Sequence, residues 1–528
     1  MVLTPAPWWQ GAVIYQIYPR SFQDSNGDGV GDLNGITTRL EHVASLGVDA
    51  IWLSPFFASP MADFGYDVSD YRAVDPIFGS LEDFDRLLVR AHALGLKVII
   101  DQVYAHTSDA HAWFRESRQS RSNPKEDWYV WADPQRDGTP PNNWLSVFYG
   151  PCWTWDGRRG QYYLHNFLPS QPNLNVHNPA VQEALFDIAR FWLSRGVDGF
   201  RLDAINFAMH DPSLADNPPV IDPTLPKKRP FDFQHHLHNQ SQPELIPFIE
   251  ALAQLVRGFG SDRFTVAEVG GEQAPREMRL FTAGDNRFHT SYGFDFLSAE
   301  TLTPDLVLSA LASWKIGEGW PSWAFSNHDA PRVVSRWGSP QAQDAWAKLL
   351  LALLMALRGN VFLYQGEELG LSQASIPFER LRDPEAIANW PLTQGRDGAR
   401  TPMPWSTDVH GGFSTTEPWL PLPDSHLARA VAVQEQDDAS VLSITRQLTE
   451  QRRRHAALRR GSFSPLHLPA PLLGFEREAS GQRIRCLFNL GANSLACGAL
   501  AGQVLFASGD VDLHAKTLGP LAACWLEI

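Results

Sequence analysis

The chain has 528 residues, 44% hydrophobic and 20% charged, a globular balance long enough for one large domain with smaller ones inserted or appended. Its 44 basic and 59 acidic residues leave a net charge of -15, which repels phosphate backbones and anionic lipid and disfavours nucleic-acid and membrane-surface partners. The amino terminus, MVLTPAPWWQ, lacks the basic start and apolar run of a secretory signal, and the four cysteines have no metal-ligand spacing, so the expectation is a cytoplasmic protein with free buried thiols.

In chain order, the runs AVIYQIYP, VDAIWLSP, LKVIIDQV, VDGFRLD, FTVAEV, YGFDF, WAFSNHD and NVFLYQGEE read as eight strands. Between them, segments such as LEDFDRLLVRAHALG and VQEALFDIARFWLSRG carry apolar residues at i, i+3 and i+4 and read as helices. QDAWAKLLLALLMALRG is apolar almost all round but short of the roughly twenty residues a bilayer needs, and reads as a core helix. Strand and helix in alternation predict a parallel sheet, and eight such units predict a closed (β/α)8 TIM barrel.

The first part of the barrel spans 1–103. A surplus rich in Trp, Tyr, Pro and Asn then predicts an inserted subdomain over 104–176. The barrel resumes over 177–455, with a second insertion at about 208–240, where NPPVIDPTLPKKRP is too proline-rich for helix or strand. From 456 to 528 the short runs SFSPLHL, GFEREA, RIRCLFNL, GQVLFA and AACWLEI predict a C-terminal antiparallel β-domain holding three of the cysteines.

The fourth strand run continues into GFRLDAINF, where alternation puts Arg201 and Asp203 on one face. Taken alone, the pair reads as a structural ion pair as readily as a catalytic carboxylate held as its anion. Barrel enzymes place their sites at the carboxyl ends of the strands. Asp101 and His106 follow strand three, Glu268 ends strand five, and Asn327, His328 and Asp329 end strand seven, so polar residues converge on that rim.

Three carboxylates on one rim suit glycoside hydrolysis, which needs one anion and one protonated acid at the scissile bond. Arg201 is expected to keep Asp203 ionised, burial and like charge to raise Glu268, and His106 and His328 to bond sugar hydroxyls as neutral imidazoles. The nineteen tryptophans read mainly as packing, with sugar stacking for a minority. In DSNGDGVGD, the side chains of Asp24, Asn26, Asp28 and Asp32 with the Val30 carbonyl supply hard oxygens at alternating positions, as in a calcium loop lacking the EF-hand's final glutamate, or else form a glycine-rich acidic turn.

In their order and spacing, DQVYAH, GFRLDAINF, AEVG and FSNHD resemble the four signature regions of the α-amylase superfamily, with QPNLN resembling a fifth; the match runs from VIYQIYPRSF through RTPMPW. Within that superfamily the chain is similar to the α-glucosidase and oligo-1,6-glucosidase branch. The resemblance implies a retaining, exo-acting α-glucosidase for short α-glucosides or malto-oligosaccharides, with transglucosylation to hydroxyl acceptors. It implies Asp203 as nucleophile, Glu268 as general acid and then base, and Asp329 as the carboxylate gripping the sugar hydroxyls. It further implies that Tyr66 of FGYDVSDY stacks on the terminal glucose, while Asp67 binds its hydroxyls and pairs with Arg400 of RTPMPW.

Some positions depart from the wider pattern. Asn206 and Phe207 stand where internally cutting amylases usually carry Lys-His, which disfavours endo-action. Ala105 replaces an asparagine that in many relatives ligates calcium. Ala204 stands where α-1,6-cleaving members tend to have valine, which implies α-1,4 preference. By the same resemblance the Asp24–Asp32 loop holds a structural Ca2+ or Mg2+, with no organic cofactor. The alternatives are an enzyme that is primarily an α-glucosyltransferase, or a non-catalytic amylase-like subunit, which three intact carboxylates and the lack of a membrane span disfavour. A monomer or homodimer is expected.

Overall fold

A computed structural model describes residues 6–222, 228–314 and 319–528. Eight parallel strands form its centre: β1 (Val13–Ile17), β2 (Ala50–Leu53), β3 (Lys97–Val103), β4 (Gly199–Asp203), β5 (Phe264–Val269), β6 (Thr290–Gly293), β7 (Ser322–Ala324) and β8 (Asn360–Tyr364). They pair in the order β6-β5-β4-β3-β2-β1-β8-β7, and a parallel bridge between Ser291 and Pro321 joins the two ends into a barrel.

Alternation sorts the side chains into two cores. Ile14, Trp52, Ile99, Val266, Tyr292 and Phe362 fill the barrel interior. Ile51, Leu53, Val98, Ile100, Phe200 and Leu202 face outward into the layer shared with the helices. Those helices begin where the sequence supplies caps. Asp32 accepts from Gly35 N at α1 (Leu33–Ser45), Ser80 and Asp83 form a capping box at α2 (Leu81–Ala93), and Asn178 precedes a proline at α3 (Pro179–Ser194).

Two strands end sooner than their apolar runs suggest. β6 stops at Gly293, and the chain turns into the short helix Asp295–Ser298 instead of continuing through YGFDF. β7 stops at Ala324 because the Asn327 side chain accepts from the N–H groups of Asp329 and Ala330, at 2.9 and 2.8 Å, and folds SNHD into a turn. That turn is what brings Asp329 over the barrel mouth.

The segment after β3 contains a three-stranded sheet, Trp131–Ala132, Trp153–Asp156 and Gln161–Leu164, over its own core of Val130, Trp144, Cys152, Trp153 and Leu164. Among its described residues, the segment after β4 has only 3-10 turns, Ile205–Phe207 and Pro230–Phe233, before the next long helix at Leu245–Gly258. Part of its proline-rich stretch, 223–227, lies outside the described residues.

The apolar helix Gln343–Ala356 is buried from Leu349 to its end between the barrel, the helix Val441–Arg454 and the C-terminal sheet. After a last short helix, Ala456–Arg460, five antiparallel strands form that sheet: Ser462–Pro465, Leu472–Ala479, Gln482–Asn489, Gln503–Ser508 and Ala523–Glu527. All four cysteines are buried and free. Among the described residues no helix is long and apolar enough to cross a membrane.

Candidate active site

Strand register assembles the catalytic layer. Asp101 pairs with Arg201 and Val103 with Asp203 between β3 and β4, and Glu268 pairs with Tyr292 between β5 and β6. Partners in a parallel ladder share a face, so these side chains point together to the inside of the mouth. Arg201 is fully buried and divides its guanidinium three ways, with Nη1 2.7 Å from Asp101 Oδ1 and 2.5 Å from Asp203 Oδ1, and Nη2 2.5 Å from Glu268 Oε1. Tyr292 accepts from Arg201 Nη2 at 2.9 Å and donates to Glu268 Oε1 at 3.0 Å. Trp52 Nε1 holds the second oxygen of Asp101 at 2.9 Å.

One cation among three buried carboxylates leaves an excess of negative charge. Burial raises Asp203 to about 7 against the pull of Arg201, with Asp101 adding to the rise. Burial likewise raises Glu268 to about 7, with Arg201 opposing and Asp203 adding. The expectation for Glu268 is met; that of Arg201 holding Asp203 as an ordinary anion is not, because burial outweighs the pull of a guanidinium that Asp101 and Glu268 share. The charge on Asp203 in turn favours the protonated form of Glu268, which suits Glu268 to donate a proton.

Asp329 differs. Burial alone would raise it, but the His328 ring and the Arg396 and Arg400 guanidiniums outweigh burial and hold it well below the carboxylate range. Arg400 Nη2 lies 2.8 Å and Arg396 Nη1 3.3 Å from its Oδ1. Burial lowers His328 to about 3 and His106 to about 4, so both rings are neutral, as expected. His328 therefore helps Asp329 as a ring N–H 3.2 Å away and not as a cation.

Asp203, Ala204, Glu268, Asp329, Tyr66 and His106 line one cavity of about 780 Å3. The expected clamp of Asp67 with Arg400 is not there. Asp67 is fully buried in its own loop, where it accepts from Ser59 Oγ and from the N–H groups of Ala62 and Asp63. Its role is to present Asp63, whose Oδ1 pairs with Arg396 Nη2 at 2.8 Å and whose Oδ2 accepts from Gln171 Nε2 at 3.1 Å. Arg396 also binds Asp383 at 2.8 Å.

Asp63, Gln171 and Arg396 line the cavity, whereas Arg201, His328 and Arg400, expected at the sugar, lie behind the residues that do. Arg400 Nε donates to His328 O at 2.7 Å, and the Tyr66 hydroxyl is 2.6 Å from His328 Nε2. The missed pair had a signal: Asp63 stands four residues before Asp67 in DFGYD, and Arg396 four before Arg400 in RDGAR. In each segment the residue expected at the clamp lies four positions after the one that forms the pair.

The loop expected to hold a cation winds on itself. The side chains of Asp24, Asn26 and Asp28 each accept the N–H two residues on, at 2.9, 2.9 and 2.8 Å, so their oxygens follow the regular alternation such a loop requires. Asp24 also accepts from Ser414 Oγ at 2.6 Å, while Asp32 accepts from Ser25 and caps α1. Among the described residues no three His, Cys, Asp or Glu side chains converge as a metal site, so an ion here would depend on the Asn26 and Val30 oxygens as well as on carboxylates.

Residues 16–461 match the model of the α-amylase catalytic domain, and residues 462–525 match a domain of unknown function. The chain is 54% identical over 492 residues to a protein of Rhizobium meliloti named "Probable alpha-glucosidase", covering 92% of this chain and 89% of that one. It is 38% identical over 526 residues to an oligo-1,6-glucosidase of Heyndrickxia coagulans, covering 93% of each. The crystal structure of an alpha-glucosyl transfer enzyme superposes with a TM-score of 0.93 at 52% identity over 99% of each chain. A closed barrel with three acidic groups at its mouth, matched over nearly its whole length, places this chain in the α-amylase family of glycoside hydrolases, family 13, alongside α-glucosidases and oligo-1,6-glucosidases.

Proposed function

We propose that this protein is a retaining, exo-acting α-glucosidase that removes α-glucose from the non-reducing end of short α-glucosides. The observation that carries this reading is one cavity in which Asp203, Glu268 and Asp329 converge while the Asp63–Arg396 ion pair forms part of its wall. Asp203 attacks the anomeric carbon as the glycosidic bond breaks, and Glu268 gives its proton to the departing oxygen. In the second half Glu268 takes a proton from water or an acceptor hydroxyl, whose oxygen displaces Asp203. The proton that burial and the charge of Asp203 favour on Glu268 is the one this cycle moves.

Asp329, held ionised by two guanidiniums, grips the sugar hydroxyls, and the neutral His106 ring in the cavity wall bonds another. The small Ala204 at the cavity wall supports a preference for α-1,4 linkages. Transfer to hydroxyl acceptors accompanies hydrolysis, a reading favoured by the likeness to the glucosyl transfer enzyme.

The test is to follow p-nitrophenyl α-glucoside turnover by NMR and to trap the enzyme with 5-fluoro-α-glucosyl fluoride. α-Glucose as first product and a label on the peptide carrying Asp203 are expected. A β-anomer, or a label on another residue, sinks the reading. We also propose a structural Ca2+ or Mg2+ on the Asp24–Asp32 loop, held by Asp24, Asn26, Asp28, Asp32 and the Val30 carbonyl and serving to brace the start of α1. A chelator should then lower the melting temperature by several degrees, and added Ca2+ or Mg2+ should restore it.

A further inference from the structure

The mouth of the cavity is walled by two segments that the chemistry above does not use: the insertion after β4 and the helix Pro384–Asn389 after β8. In a closed ring of eight strands, β4 and β8 lie four places apart in either direction. Their loops start on opposite sides of the barrel and can meet only across the opening. They do meet. Arg229 Nη1 of the insertion is 3.6 Å from Glu385 Oε1 of the helix, and both side chains line the cavity.

Each partner is anchored on its own side. Arg229 Nη2 is 3.4 Å from Asp232 Oδ1, and its guanidinium lies 5.9 Å from the centroid of the Phe231 ring. The Glu385 side chain is only 12% exposed. Two residues before it, Asp383 holds Arg396, which holds Asp63 and Asp329. At the end of the same helix Asn389 Nδ2 donates to Phe148 O of the inserted subdomain at 3.0 Å. One short helix thus ties the sugar clamp, the inserted subdomain and the β4 insertion together, and Arg229–Glu385 is its link across the mouth. Phe148, Phe231, Leu237 and Phe294 form apolar wall around it.

Resting on the α-glucosidase reading, we propose that the Arg229–Glu385 ion pair is a clasp that determines which leaving groups and acceptors the enzyme takes. Both side chains line the cavity of about 780 Å3, so a leaving group or acceptor long enough to reach the pair must part it, and while closed it keeps bulk water from the glucosyl-enzyme. The two residues act as a specificity pair and make no bond to the reacting atoms.

The test is a double-mutant cycle of Glu385→Gln, Arg229→Ala and the two combined. For each protein the kcat/KM ratio of maltotetraose to maltose is measured, with the ratio of transfer to hydrolysis at a fixed glucose concentration. Ratios taken within one protein are insensitive to the fraction that folds. Each single change is expected to raise the first ratio at least fivefold and to lower the second at least threefold, with the double change no larger than a single one. Unchanged ratios, or single effects that multiply in the double variant, would overturn the clasp while leaving wild-type glucosidase activity intact. A wild type that releases glucose from neither substrate would overturn the α-glucosidase reading and the clasp with it.

Discussion

Buried arginines serve both ends of the barrel, and they do different work. At the carboxyl ends of the strands Arg201 meets three carboxylates and a tyrosine, all titratable. On the far side of the barrel, Arg452 donates to the carbonyls of Gly11, Met355, Leu357 and Gly359, and Arg477 to those of Ala356, Gly461 and Ser462. These satisfy the carbonyls that the helix Gln343–Ala356 leaves orphaned at its end and attach the C-terminal sheet. Burial lowers both of these arginines, Arg477 to about 9, because dipoles replace carboxylates around them. A guanidinium among carboxylates sets how many protons a site holds, whereas one among carbonyls only holds the chain together.

The comparison breaks most visibly at Asp203. Asp203→Ala should lower kcat by roughly 10^4-fold or more, since it removes the carboxylate on which the proposed covalent bond forms, while the melting temperature stays close to that of the wild type. Arg396→Ala should cut kcat/KM on maltose by about 10^2-fold, because it leaves Asp63 without its cation and Asp329 with Arg400 alone. At the other end, Arg452→Ala should leave activity at low temperature nearly unchanged and reduce stability by roughly 3 kcal/mol, seen as a lower denaturant midpoint, because four carbonyls lose their donor. An Arg452→Ala enzyme with normal stability and poor turnover would reverse the assignment of the two ends.

The subtlest effect is in pH dependence. The proposed cycle needs Asp203 ionised and Glu268 protonated, and burial raises both to about 7, so kcat/KM should be bell-shaped, falling at low pH as Asp203 gains a proton and at high pH as Glu268 loses its own. Tyr292→Phe removes an O–H that stabilises the Glu268 anion. Glu268 then holds its proton more tightly, and the alkaline limb of kcat/KM should move to higher pH. A shift to lower pH, or none, would mean that Tyr292 acts through Arg201 alone.

Much of this site was legible from local chemistry. Arg201 and Asp203 share a face because strands alternate, and Glu268 and Asp329 follow apolar runs that had to be strands. The partners were less legible. Asp63 and Arg396 are 333 residues apart, and nothing local distinguishes them from Asp67 and Arg400, each four residues on. The choice between them depends on which way a buried loop turns: Asp67 caps the N–H groups of Ala62 and Asp63, and so cannot also face the cavity. The charge on Asp203 was misjudged for a related reason, since the residues that compete for Arg201 arrive from two neighbouring strands.

By itself the order of residues determined the kinds of element, their alternation and the chemical types at each strand's end, because period and side-chain chemistry are properties of adjacent positions. Only the closed barrel decided which charges share a partner and which loops meet over the mouth. Electrostatic energy in a buried site depends on distances between atoms remote in the chain, and burial and packing, more than spacing along the chain, set those distances.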